Sequence, residues 1–261
     1  MEYSYYIFDY NGINRLYRIS KEGMIHENPG TLAAFIDGKW TNDNKYTGPF
    51  MDNYLTGWLD ERDAMNYEAA MKLLTMDRLD LARKFAVEKH GKQKYGHLPY
   101  ETHLTNVVNV LLRTGILPDS KEKCDLWISA WLHDILEDTT TTSNELVAEF
   151  GKEVYEIVWA LTDGEKGDRF SKKLIMYKKL VHNQAAMIVK LADRISNLEF
   201  SILLNNQRKI RMYLSENVEL NTHLSDAIIS SEGKILLRYL NELVAKYSFM
   251  MPALDDSGEN E

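Results

Sequence analysis

The sequence predicts a mainly α fold, a helical bundle of about eight helices over residues 76–248, preceded by a small β-rich module. Three observations predict it. From Met76 onward apolar residues recur at helical spacing almost without interruption. Within the first forty residues an Asn-Gly and an Asp-Gly turn dipeptide stand between aromatic and β-branched runs. The 261 residues are 44% hydrophobic and 27% charged, enough to bury a substantial core and too apolar for a disordered chain.

Taken in order, "YSYYIFDYNGINRLYRIS" places Asn11-Gly12 between two strand-like runs and predicts a hairpin. "FIDGKWTN" carries Asp37-Gly38 and predicts a second tight turn. Residues 51–75 read as a partly helical connector, so 1–75 form a module without a readable role; His26 stands alone as a surface residue. "MDRLDLARKFAVEKH" is the first helix of the bundle, and "THLTNVVNVLLRTG" follows with a Thr cap and a Gly115 stop. "SKEKCDLWISAWLHDILED" reads as one helix, and "TSNELVAEFGKEVYEIVWALTDG" as two, broken near Gly151. "DRFSKKLIMYKKLVHN" and "QAAMIVKLADRISNLEFSILL" come next, then amphipathic helices over 206–219 and 224–247. Trp127, Trp131 and Trp159 read as core, and the acidic tail 249–261 as disordered.

Bulk properties exclude several classes. One cysteine, Cys124, rules out an internal disulfide and fits a reducing, cytoplasmic setting. A net charge of −8 argues against broad nucleic-acid binding and leaves room for a local basic pocket. No apolar run approaches a membrane span, and the N-terminus lacks a signal-peptide pattern.

The chemistry concentrates in "AWLHDILEDTTTT". His133, Asp134, Glu137 and Asp138 stand in an otherwise apolar run, where unpaired charge is costly to bury. His133 and Asp134 are roughly 100° apart on a helix and can lean toward one ion, with Glu137 and Asp138 one turn beyond. One helix cannot complete a coordination sphere. His103 in "PYETHL" and Asp193 in the apolar "VKLADRISNLE" can supply the remainder. Two histidines and two aspartates suit Mn²⁺, Fe²⁺ or Mg²⁺ with open water positions better than a closed structural zinc site. A phosphate substrate also needs cations. Lys92, Lys94, Lys190, Arg194, Arg169, Lys172 and Lys173 are the candidates, and Tyr95 is a ring that could stack on a base or pack its loop. His90 reads as helix surface, or as support for a metal ligand. His182 reads as surface.

The order His … His-Asp … Asp resembles the HD phosphohydrolase superfamily. The longer run "HGKQKYGHLPYETHL … LHDILEDTTTTSNELVAEFG … VKLADRISNLE" is similar to the hydrolase domain of RelA/SpoT-type alarmone enzymes over residues 77–202. The resemblance implies an HD-domain bundle with His103, His133, Asp134 and Asp193 as metal ligands. It implies Glu137 and Asp138 as the pair that activates water, and Asn197 as a nucleotide contact. It also implies Mn²⁺ and removal of the 3′-pyrophosphate from (p)ppGpp, a small anionic nucleotide. Two positions depart from the family. Lys94-Tyr95 stands where a basic residue, usually Arg, lies near the guanine, and Glu199-Phe200 where Arg and Thr are common. Three other readings therefore stay open: another nucleotide phosphate such as the NADPH 2′-phosphate, a non-catalytic nucleotide sensor, or an interaction protein with a stapling metal.

Overall fold

The computed structural model describes residues 3–10, 13–20, 32–36, 39–43, 45, 47–48, 50, 67–164 and 168–250. The chain divides into two compact units, Met1–Leu81 and Ala82–Glu261. The connector 51–66, His26 and the tail 251–261 lie outside the described residues.

In the first unit β1 (Tyr3–Tyr10), β2 (Ile13–Ser20), β3 (Leu32–Ile36) and β4 (Lys39–Thr41) form an antiparallel sheet in chain order. Tyr10 pairs with Ile13 and Ile36 with Lys39, while the turn dipeptides Asn11-Gly12 and Asp37-Gly38 themselves lie outside the described residues. Side chains alternate faces along a strand, so Tyr6 opposite Tyr17 and Ile19 opposite Leu32 share one side. That side is the core, closed by Phe50, whose ring stacks on Tyr17 at 4.5 Å. On the other side the Arg18 guanidinium lies over both Tyr3 and Trp40, 4.4 and 4.3 Å from their ring centres.

The helices are α1 (Tyr67–His90), α2 (Glu101–Arg113), α3 (Lys121–Leu132), α4 (Ile135–Asp138) and α5 (Ser143–Phe150). They continue with α6 (Lys152–Leu161), α7 (Arg169–Leu180), α8 (Gln184–Leu203), α9 (Gln207–Leu224) and α10 (Ser231–Met250). A two-stranded hairpin, β5 (Lys94–Tyr95) and β6 (Leu98–Pro99), joins α1 to α2. Side-chain oxygens of Ser120, Thr142, Asp168, Asn183 and Asn206 accept backbone N–H groups three residues on and start α3, α5, α7, α8 and α9. Gly115 (φ 78°) stops α2, and Gly151 (φ 91°) separates α5 from α6, conformations that glycine adopts without strain.

Helix α8 is the axis of this unit. It packs against α2, α3, α6, α7, α9 and α10. Ile188, Val189, Leu191, Ala192, Ile195 and Leu198 are all buried on it, and this apolar shell surrounds Asp193. No described helix is long and apolar enough to cross a membrane.

Several elements differ from the sequence expectation. The helix expected over 120–138 ends at Leu132; Asp134 (φ −100°, ψ 1°) breaks it and α4 starts anew. The cap of α2 is Tyr100, with no side-chain bond, rather than a threonine. The ninth helix runs on to Leu224, and the tenth starts only where Ser230 Oγ accepts the Gly233 N–H. Trp159 is 48% exposed, because the buried stripe of α6 is Val154, Ile157, Val158 and Leu161, and Trp159 falls beside it. His90 is buried rather than on a helix surface, whereas His182 is exposed and Cys124 is buried.

Candidate metal centre

Four side chains from separate parts of the second unit converge. His103 lies in the first turn of α2, His133 and Asp134 at the α3–α4 break, and Asp193 midway along α8. His103 Nε2 and His133 Nε2 are 3.1 Å apart. Asp134 Oδ2 is 2.9 Å from His133 Nε2 and 3.5 Å from His103 Nε2. Asp193 Oδ1 is 3.4 Å from His103 Nε2 and 3.8 Å from His133 Nε2. Neighbouring ligands bound at about 2.0–2.2 Å to one ion stand about 3.0–3.5 Å apart. The ligand atoms of His103, His133 and Asp134 all lie within 4.8 Å of one another and could hold a divalent ion, and Asp193 Oδ1 stands beside them, within 3.4 Å of His103. The break after Leu132 matters here: it brings the tips of adjacent residues His133 and Asp134 together.

Surrounding groups hold these donors. Ala130 O faces His133 Nδ1 at 2.9 Å; a proton there leaves Nε2 as the donor to the cluster. Asp134 Oδ2 accepts the Tyr100 hydroxyl. Asp193 Oδ1 accepts Asn197 Nδ2 at 2.5 Å, and its Oδ2 accepts Lys190 Nζ at 3.3 Å. Burial opposes charge on Asp134, yet His133 and His103 hold its carboxyl well below the usual range. Burial likewise acts against Asp193, but Lys190 and the two histidines leave its pKa lowered. Burial pulls the His133 pKa down, and Asp134 and Asp193 more than offset this, raising it to about 9.

Glu137 and Asp138 are the exposed residues of α4, one turn past the pair. Glu137 accepts the Asp163 backbone N–H, and Asp138 Oδ2 accepts Gln93 Nε2 at 2.8 Å. Gln93 Oε1 in turn lies 2.8 Å from His90 Nδ1, and the His90 ring stacks on Tyr100 at 4.4 Å. Sequence reasoning missed Tyr100 and Gln93. The signal that could have found them is position alone, both lying on the short link that leads into His103.

The other candidates are dispersed. Tyr95 stacks on Phe200 at 4.3 Å and donates to Asn197 Oδ1 at 2.8 Å, which packs its loop against α8. Arg194 Nη1 donates to Glu216 Oε2 at 2.5 Å, and Lys173 Nζ pairs with the other oxygen. Lys92 and Lys94 are exposed and Lys172 is half-buried; among the described residues no contact joins them to the cluster. The Arg169 side chain lies outside the described residues.

Comparison with known proteins adds three findings. A family model described as HD domain matches residues 80–216. The guanosine-3′,5′-bis(diphosphate) 3′-pyrophosphohydrolase MESH1 of Xenopus tropicalis is 35% identical over 121 residues, 45% of this chain and 65% of that one. The guanosine-3′,5′-bis(diphosphate) 3′-pyrophosphohydrolase of Aquifex aeolicus is 30% identical over 153 residues, 57% of this chain and 21% of that one. The match thus spans just under two thirds of the first relative and about a fifth of the second. In fold, the chain is similar to the solved structure of a metazoan SpoT orthologue, described as hydrolysing ppGpp. The TM-score is 0.54 at 22% identity, over 65% of this chain and 95% of that one.

Proposed function

This chain belongs to the HD-domain family, whose model covers more than half of it, and from that premise we propose a metal-dependent nucleotide phosphohydrolase. The reaction proposed is removal of the 3′-pyrophosphate from (p)ppGpp or a related nucleotide, as the names of its relatives describe for them. One observation supports the reading: the ligand atoms of His103, His133 and Asp134 lie within 4.8 Å of one another, with Asp193 Oδ1 3.4 Å from His103 and with Glu137 and Asp138 on the helical turn that follows Asp134.

A divalent ion, proposed as Mn²⁺ with Fe²⁺ or Mg²⁺ as substitutes, supplies Lewis acidity toward a phosphoryl oxygen and a lowered pKa for bound water. The chain's own residues do the rest. Asp134 and Asp193 stand ionised and offer negative charge without a prior proton loss. Glu137 and Asp138 take the proton from the attacking water, with Asp138 oriented by Gln93. Lys190 brings positive charge beside Asp193 for the anionic product. Lys92, Lys94, Lys172 and Arg169 serve as proposed phosphate contacts, and Asn197 as the nucleoside-side contact. Arg194 and Lys173, drawn together by Glu216, act in this reading as structural charge. The single cysteine and a nucleotide substrate fit a cytoplasmic setting.

The test is product release with Mn²⁺ across ppGpp, pppGpp, ppApp, NADPH and simple nucleoside di- and triphosphates, with Asp134→Asn as control. Pyrophosphate released only from a 3′-diphosphate, and lost in the control, is the expected result. Turnover confined to NADPH would replace the substrate, and bound metal with no turnover on any member would replace the enzyme with a sensor.

A further inference from the structure

The hairpin β5–β6 contributes no metal donor, yet two tyrosines at its margins reach three of the four candidate ligands. Tyr100 Oη donates to Asp134 Oδ2. Tyr95 Oη donates to Asn197 Oδ1 at 2.8 Å, and Asn197 Nδ2 donates to Asp193 Oδ1 at 2.5 Å. Both rings also lie against His103, with centres 4.8 Å away for Tyr95 and 5.4 Å for Tyr100. The two tyrosines meet edge to face at 6.5 Å.

The choice of oxygen is the telling detail. Asp134 Oδ2 and Asp193 Oδ1 are the oxygens that face the histidine nitrogens. Each tyrosine path ends on that oxygen and not on its twin. A carboxylate on a rotatable stem presents either oxygen; a hydrogen bond to one of them selects it. Asn197 is sided in the same way. Its amide offers oxygen to a phenol and nitrogen to a carboxylate, the one orientation that satisfies both. Without the Tyr95 hydroxyl that amide loses the partner of its oxygen. Tyr95 itself is buried, with its ring on Phe200 and its hydroxyl engaged.

We propose that Tyr95 and Tyr100 are positioning residues that aim the two carboxylates of the metal centre, Tyr100 directly and Tyr95 through Asn197. The hairpin and its exit into α2 then share with Ala130 and Lys190 of the bundle in setting the geometry of the donors. This rests on the four-residue cluster being the metal site of the proposed function.

Tyr95→Phe and Tyr100→Phe keep the rings and remove only the hydroxyls. Mn²⁺ is titrated calorimetrically into the metal-stripped 261-residue chain and each variant, and the melting temperature of the metal-free forms is recorded. Each substitution is expected to raise the Mn²⁺ Kd about 10- to 100-fold, with the metal-free melting temperature close to that of the parent. Tyr95→Phe added to Asn197→Ala is expected to weaken Mn²⁺ no further than Asn197→Ala alone, whereas Tyr100→Phe adds to it. An unchanged Kd in both single variants overturns the proposal, and full additivity of Tyr95→Phe with Asn197→Ala overturns the Tyr95 path. A parent protein that binds no Mn²⁺ overturns it together with the metal reading. A parent that binds Mn²⁺ and hydrolyses no nucleotide, with weakened binding in the variants, sinks the proposed reaction and upholds the positioning role.

Discussion

Asp134 does two things with one oxygen: it accepts the Tyr100 hydroxyl and faces both histidine nitrogens. Glu137 is placed differently, exposed on the turn beyond, so the proposed catalytic role can be separated from metal binding by experiment. Glu137→Gln is expected to leave the Mn²⁺ Kd unchanged and to lower kcat about 10²- to 10⁴-fold, read from steady-state rates and a metal titration on the same sample. His133 gives a pH signature with a definite sign. Its folded-state pKa is raised from 6.5 to about 9, so in the metal-free protein it contributes stability in full below about pH 6.5, lost as pH rises through about 9. Metal needs the same nitrogen bare, so Mn²⁺ affinity runs the opposite way and strengthens across that window. Calorimetry in buffers of different ionisation enthalpy is expected to show a proton released on binding at neutral pH, and none if His133 is already neutral. At this scale the candidate ligands were readable because ionisable residues in apolar runs demand a partner. Tyr100 and Gln93 were not, because a tyrosine before a helix and a glutamine in a turn are ordinary surface types until the chain folds over them.

Among the elements, the α3–α4 junction was the hardest to foresee. No glycine or proline marks it, and apolar spacing continues from Leu132 through Ile135. The break answers a tertiary demand, that two adjacent side chains meet one point. Gly115 and Gly151, by contrast, announced their stops, since each needs a positive φ. The joining of α7, α8 and α9 was hidden for another reason: Lys173 and Arg194 read as free cations until Glu216, from a helix distant in sequence, pairs with both. Arg194 is only 7% exposed at its side chain. Glu216→Ala strands it, and urea unfolding is expected to show a loss of about 3–5 kcal/mol. A loss near zero would mean that the guanidinium finds water instead.

For the whole molecule, the division into two units bears on what the chemistry requires. Every candidate metal, acid and phosphate residue lies in Ala82–Glu261, a unit with its own apolar axis in α8. A chain starting at Tyr67, the first residue of α1, is expected to bind Mn²⁺ with the affinity of the full chain, measured by the same titration. A large loss would give the β-sheet unit a share in the centre. The helical fold was readable from periodicity throughout, and the sheet from its turn dipeptides, whereas nothing in residues 1–75 reveals what the sheet is for.

The convergence of His103, His133 and Asp193 also has a meaning for the unfolded chain. These residues stand 30 and 60 positions apart in sequence. An ion held by all three spans two long loops, so the denatured chain, with the ends of those loops far apart, cannot hold it and only the folded chain gains the binding free energy. Such an ion would act on helices that never touch it. Thermal stability should therefore track free Mn²⁺, by about 2.7 kcal/mol at a hundredfold excess over Kd. Amide exchange should slow along the whole of α8, not only at the turn that carries Asp193.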